Sequence, residues 1–187
     1  MVNDEAIVER MRAAILRGDF APRQQLIEAE LCERFAASRF EVRAALQALE
    51  SEGLVERQRN RGARIREIGV AEAVEISQVR MVVEGLVAAL AAERATPADV
   101  RRLQDIGRRM RVAVAAGEQG LYSDLNAELH GAIRDVAGHA TASRIISQLR
   151  GQLVRHQFAL SRVPGRTSVS ILQHEELIRT IAARDPV

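Results

Sequence analysis

The sequence predicts a mainly α-helical protein in two parts: three helices closed by a small β-hairpin, then an all-α antiparallel helical bundle. Three observations predict it. Apolar residues recur at i, i+3, i+4 and i+7 along most of the chain, the period of helices with one buried face. Aromatic residues make up only 3% of the 187 residues and Trp is absent, which suits stacked helices filled by Leu, Ile, Val and Ala better than a β-sandwich. One stretch, "LVERQRNRGARIR" at 54–66, reads instead as two short strands around a turn.

The first helix is expected from about Asp4 to Arg17, with Ile7, Met11 and Ile15 on one stripe and Gly18 ending it. "GDFAPRQQL" then reads as a turn. A second helix covers Glu28 to Phe35, burying Leu31 and Phe35 and placing the single Cys32 on the inner face, and a break at Ala36-Ala37 follows. The third helix begins at Ser38. Ser38 and Glu41 have the S-x-x-E spacing of a capping box, in which each side chain satisfies a backbone N–H that the helix start leaves orphaned. Val42, Ala45, Leu46 and Leu49 point inward, leaving Arg39, Arg43 and Gln47 on the opposite stripe, and Gly53 stops the helix. In the hairpin Val55, Ala63 and Ile65 face inward around an Asn60-Arg61-Gly62 turn. This is the order of a winged helix-turn-helix.

Residues 1–66 therefore form one module, 67–70 a linker and 71–187 an all-helical second domain. Its helices are expected at about Ala71 to Glu93, Pro97 to Ala116, Gly120 to Ala137, Ala142 to Ser161 and Ser168 to Arg184. Thr96-Pro97-Ala98-Asp99 marks one start with an N-cap, a Pro at the first helical position and an acid in the first turn.

Net charge is only +2, so distribution carries the case for nucleic acid. All 27 basic residues are Arg. Residues 1–56 hold eleven acids against seven arginines, whereas "RQRNRGARIR" at 57–66 holds five arginines and no acid. A lone Cys excludes an internal disulfide framework and fits a reducing cytoplasm. Neither a charged leader with an apolar core nor a run of 18 apolar residues is present, which disfavours secretion and membrane spanning.

A helix-turn-helix can set the start of its second helix in the DNA major groove, where Arg forks onto guanine O6 and N7. Arg39 and Arg43 lie one turn apart at that start, and Gln47 follows on the same stripe. Ser38 and the first-turn N–H groups suit a phosphate, and Phe40 suits a thymine methyl. Arg59, Arg61 and Gly62 at the wing suit the flanking minor groove or backbone. The competing reading is a capped amphipathic helix whose arginines merely face water.

These residues resemble a known family. Residues 7–65, through "AILRGDFAP", "SR-x-x-VR-x-AL" and "L-E-x-E-GLV-x-R-x-x-NRGA", look like the winged DNA-binding domain of GntR-family transcriptional regulators. The resemblance gives Arg39 and Arg43 the base-reading positions and Arg61-Gly62 the wing tip. Glu41 stands where a proline is usual, Arg23 where a glycine follows proline, and Ala29 where some members have a DNA-contacting arginine. An acid at Glu41 repels phosphate unless the capping box holds it.

The second domain is similar to the all-helical FCD effector domain of the FadR-type branch, through Arg80 and Glu84, "N-A-E-L-H" at 126–130 and "H-E-E-L-I-x-x-I-x-A-x-D" from His174. That resemblance implies a divalent metal, zinc or nickel, held by Asn126, His130 and His174, and a small carboxylate effector near the same residues and Arg80. Asn126 and His130 are at i and i+4 on one helix face. Asn126 offers a neutral amide where the family usually has an acid, and the chain ends at Val187 before the family's last helix and last histidine, so at most three protein ligands are expected. Arg80 either clamps the effector carboxylate or pairs with Glu84. His139 and His156 lack such spacing and read as surface or hydrogen-bonded histidines.

The expectation is thus a cytoplasmic, sequence-specific regulator, homodimeric, repressing from palindromic half-sites on double-stranded DNA until a small organic acid releases it. Two alternatives stand beside it. One is a DNA-binding protein without ligand response; the other is a metal-dependent enzyme, for which no H-E-x-x-H, phosphate-binding glycine loop or nucleophile with its base is found.

Overall fold

A computed structural model describes residues 2–58, 62–161 and 165–186. Its elements are α1 (Val2–Arg17), β1 (Gln25–Leu26), α2 (Glu28–Phe35), α3 (Arg39–Ser51), β2 (Val55–Gln58), β3 (Gly62–Ile65), α4 (Val70–Arg94), α5 (Pro97–Ala115), α6 (Gln119–Ala137), α7 (Ala140–Ser161) and α8 (Arg166–Ala182). They group into two compact units, Met1–Val74 with Gln148–His156, and Glu75–Ser147 with Gln157–Val187. No helix among the described residues is long and apolar enough to cross a membrane.

In the first unit the inward stripes close on one core, with Met11 from α1, Leu31 and Phe35 from α2, Val42, Ala45 and Leu49 from α3, and Val55 and Ile65 from the hairpin all buried. Cys32 is only half-buried, packed against this core and not sealed within it. The α2–α3 turn is tight. Ala36 closes α2 in the left-handed region at φ 49°, and the Ala37 N–H reaches back to the Cys32 carbonyl.

The sheet has the order β1-β3-β2, antiparallel throughout. On β2 and β3 the register pairs Val55 with Ile65, Glu56 with Arg64, Arg57 with Ala63 and Gln58 with Gly62. Alternation then turns Ala63 and Ile65 inward and leaves Arg64 half-exposed beside Glu56, with which it forms an ion pair. The stretch expected as a plain turn at 18–26 ends in β1, where Gln25 pairs with Arg64 and Leu26 with Ala63, burying Leu26. Two residues are too short for a visible alternation, and their ladder depends on a strand far along the chain. Within that stretch Arg23 takes φ 59°, so it occupies in the left-handed region the place where the resemblance expects glycine.

Two features fix the far end of α3. Arg12 forks onto Glu52, Nε to Oε2 at 2.7 Å and Nη2 to Oε1 at 2.5 Å, and these bonds raise the Arg12 pKa against the opposing effect of burial. Gln148 and Gln152 donate to the Ser51 and Glu52 carbonyls, groups that a helix end leaves without intrahelical partners. Gly53 is required here. Its φ is +73°, and a Cβ would lie 2.6 Å from the Gln152 amide nitrogen.

The second unit is all helical. Leu103, Ile106 and Met110 of α5 meet Leu125, Leu129 and Ile133 of α6, and Ile146, Ile171, Ile178 and Ile181 complete the core. α5 starts on Thr96 as the expected N-cap with Pro97 in its first turn, and Asp99 completes a capping box with Thr96. His139 lies just before α7, where its Nδ1 accepts the Ala142 N–H at 3.2 Å. The side chain of His156 falls outside the described residues.

Candidate functional site

In the first unit the candidate nucleic-acid surface is built by the start of α3. Ser38 is its N-cap, and Glu41 folds back so that its Oε2 accepts the Ser38 N–H at 2.8 Å and the Ser38 Oγ–H at 2.7 Å. The carboxylate therefore occupies the place where a phosphate would meet Ser38. Val42, Ala45, Leu46 and Leu49 are buried as expected, and the burial fixes which way the helix turns its other face. Arg39, Phe40, Arg43 and Gln47 are exposed on that face, Phe40 at 75% of its full accessibility. Among the described residues Arg39 makes no ion pair, so its full fork of donors is available.

Between α3 and the wing lies a groove of about 370 Å³ lined by Glu28, Arg43, Leu46, Arg57, Gln58 and Gly62. Arg43 is held there by Glu28, and Arg57 by Glu50 at 3.1 Å. Gly62 sits at φ 78° where β3 begins. Arg59 and Arg61 lie outside the described residues. Arg57 opens the arginine run noted in the sequence, whereas Glu28 carried no signal of its own; it is far from Arg43 in the chain, and only the α2–α3 turn brings them together.

In the second unit α6 and α8 bring two histidines into contact. His130 Nε2 and His174 Nε2 are 3.3 Å apart, and Tyr122 Oη lies 3.1 Å from His174 Nδ1. His174 is buried. Asn126, one turn before His130, has a buried Oδ1 with no hydrogen-bond partner. Two zinc-bound nitrogens at about 2.0–2.1 Å in a tetrahedral shell stand roughly 3.3–3.4 Å apart. The two imidazole nitrogens are thus spaced as two ligands of one divalent ion would be, and Asn126 offers a further donor on the same helix face as His130. Among the described residues, no group of three or more His, Cys, Asp or Glu is placed to hold a metal ion.

Beside the histidines is a cavity of about 220 Å³ with Val87, Ile133, Ile146 and Leu177 as apolar walls and Glu84, His130 and Arg134 as polar lining. Arg80 does not line it; its Nη2 donates to Glu84 at 2.6 Å while its buried Nε has no partner. Arg134 does line it, and makes no ion pair among the described residues. A signal for it existed: Tyr122, Asn126, His130 and Arg134 recur every four residues along α6.

Comparison with known proteins settles what this pairing of units is. Residues 3–65 match the family model of bacterial regulatory proteins, gntR family, and residues 75–187 match the FCD domain. The chain belongs to the GntR family, in the branch carrying an FCD domain. Over 190 aligned residues this GntR protein is 30% identical to the HTH-type transcriptional regulator LutR of Bacillus subtilis (strain 168), with 90% of this chain and 86% of the relative covered. It is 24% identical to the HTH-type transcriptional repressor RspR of Escherichia coli (strain K12), covering 97% of this chain and 80% of that one. The solved structure of E. coli McbR/YncC shares the fold at a TM-score of 0.79 and 23% identity, with 98% of this chain and 87% of that chain covered. This GntR-family chain is a DNA-binding transcriptional regulator with an effector domain, and not an enzyme.

Proposed function

We propose that the protein is a homodimeric repressor whose two reading heads hold the half-sites of a palindromic operator and let go when a small organic-acid anion enters the FCD unit. The observation that carries this reading is the cavity beside His130 and His174. Its volume, about 220 Å³, is below the roughly 300–1,000 Å³ of pockets for drug-sized ligands, which favours a ligand of few carbons. Its polar lining is Arg134 and His130 against Glu84, and a guanidinium matches a carboxylate with two parallel hydrogen bonds.

Asn126, His130 and His174 are the residues that would hold zinc or nickel, and such an ion supplies a positive centre for a carboxylate oxygen. Arg134 then orients the acid from the other end of the stripe, and the aliphatic walls select its short carbon chain. Support for a second copy as partner comes from α4, where Val79, Val82 and Leu86 recur at i, i+3 and i+7 and are 53%, 70% and 47% exposed. Two linked heads reach two half-sites at once, so an effector that changes their separation or mobility changes operator affinity. The cytoplasm is where such a regulator meets its DNA.

A panel of small mono-, di- and hydroxycarboxylic acids, with and without zinc or nickel, tests the reading by melting temperature and by release of selected operator DNA. An acid that does both, and does neither with Arg134→Ala, supports it. A panel in which no acid raises the melting temperature or weakens DNA binding overturns it.

A further inference from the structure

Three arginines of the basic surface are paired with carboxylates: Arg57 with Glu50, Arg64 with Glu56, and Arg43 with Glu28. The Arg43 pair differs in the nitrogen it uses. Nε alone donates to Glu28, at 3.0 Å to Oε1 and 2.9 Å to Oε2, and among the described residues neither terminal Nη is hydrogen-bonded. Reading guanine O6 and N7 requires two parallel donors, which the terminal pair of a guanidinium supplies. Glu28 thus takes the Nε–H, which end-on guanine readout does not use.

We propose that Glu28 is a positioning residue for base readout: from the first turn of α2 its carboxylate grips Arg43 by Nε and holds the two terminal nitrogens ready to fork onto a guanine. The inference rests on reading Arg43 as a base-contacting residue. A long exposed arginine loses much rotamer freedom when it docks. Arg43 is 65% exposed and Glu28 37%, so in the free protein this bond restricts that freedom in advance. The same carboxylate sits in the groove beside the wing and repels phosphate, so it weakens binding to every sequence while sharpening the choice at one base pair. Glu28 is therefore a specificity element and not an affinity element.

The test measures dissociation constants of the full-length protein for selected operator DNA, for operators with each guanine replaced in turn, and for unrelated duplex. The proteins are the wild type, Glu28→Gln, Arg43→Ala and the double variant. Glu28→Gln is expected to lower discrimination at a single guanine about threefold to fivefold, the size of an exposed ion pair, with unrelated DNA bound as tightly or more tightly. In the Arg43→Ala background it is expected to change nothing at that guanine. Unaltered discrimination in Glu28→Gln beside lost discrimination in Arg43→Ala overturns the positioning role while sparing the Arg43 assignment. So does an effect of Glu28→Gln that persists without Arg43. Base preference unchanged in Arg43→Ala sinks that assignment and this proposal with it.

Discussion

His130 on α6 and His174 on α8 meet through their Nε2 atoms at 3.3 Å, with Tyr122 Oη 3.1 Å from the opposite nitrogen of His174. When His174 Nδ1 carries the proton and donates it to Tyr122, Nε2 keeps its lone pair, the tautomer a metal ligand needs. Zinc or nickel is therefore expected to raise the melting temperature of the wild type and to leave His174→Ala unchanged. Tyr122→Phe is expected to keep the ion but weaken it by about 10- to 100-fold, the usual effect of removing a group that orients a ligand. Competition against a chromophoric chelator reads both. Equal affinity in wild type and His174→Ala would remove the histidine pair from the site.

The helix-turn-helix holds a local strain that one substitution relieves. Ala36 sits at φ 49°, ψ 52°, where a residue with a Cβ loses roughly 1–2 kcal/mol relative to the right-handed region. Glycine avoids that cost but loses about 0.5–1 kcal/mol of chain entropy on folding. Ala36→Gly is expected to stabilise the fold by about 0.5 kcal/mol, seen as a higher urea midpoint with an unchanged slope. A lower midpoint would show that the Ala36 methyl contributes packing that outweighs its strain.

Glu41 sets the electrostatics of the reading helix. Its carboxylate accepts both Ser38 donors, the place that a phosphate would otherwise take. Glu41→Gln keeps an acceptor there and removes the charge. Operator affinity at low salt is expected to rise about twofold to fivefold, the scale of one charge at a helix start, and the gain to fade as salt increases. Fluorescence anisotropy across a salt series checks this; identical affinity at every salt concentration would mean that no phosphate approaches Ser38.

Acid stability of the helical unit follows from the start of α5. Asp99 accepts the Thr96 hydroxyl at 2.6 Å and the Thr96 backbone N–H at 2.9 Å, and these bonds lower its pKa below the ordinary 3.8. A carboxylate whose folded pKa is depressed contributes stability above its unfolded value and loses it as pH falls through the folded one. Cooling of the melting transition is therefore expected on acidification below pH 3.8. Asp99→Asn is expected to melt lower at neutral pH and to show a shallower acid loss. Parallel pH profiles for the two proteins would rule out Asp99 as a contributor.

Much of this was legible in the sequence wherever the determining interaction is local. Ser38 with Glu41 and Thr96 with Asp99 sit three residues apart, so their capping boxes and the helices they start follow from spacing. The inward stripe of Val42, Ala45, Leu46 and Leu49 fixed the outward faces of Arg39, Arg43 and Gln47 by the same local geometry. What escaped depends on distant partners. β1 exists only because β3 pairs with it, and Glu28 reaches Arg43 only through the α2–α3 turn. Arg134 was overlooked although its spacing from His130 matched that of Asn126, because charge on a helix face does not reveal which face borders a cavity.

The central claim is that α3 and the wing read a specific operator half-site through Arg39 and Arg43. Selection from a randomised duplex pool at near-physiological salt, repeated with the Arg39→Ala and Arg43→Ala variants, tests it most directly. Enrichment of a palindrome is expected in which each variant relaxes the preference at its own base pair, with a loss of about 1–3 kcal/mol of discrimination. Salt-sensitive binding without enrichment, or a palindrome read identically by both variants, would contradict it.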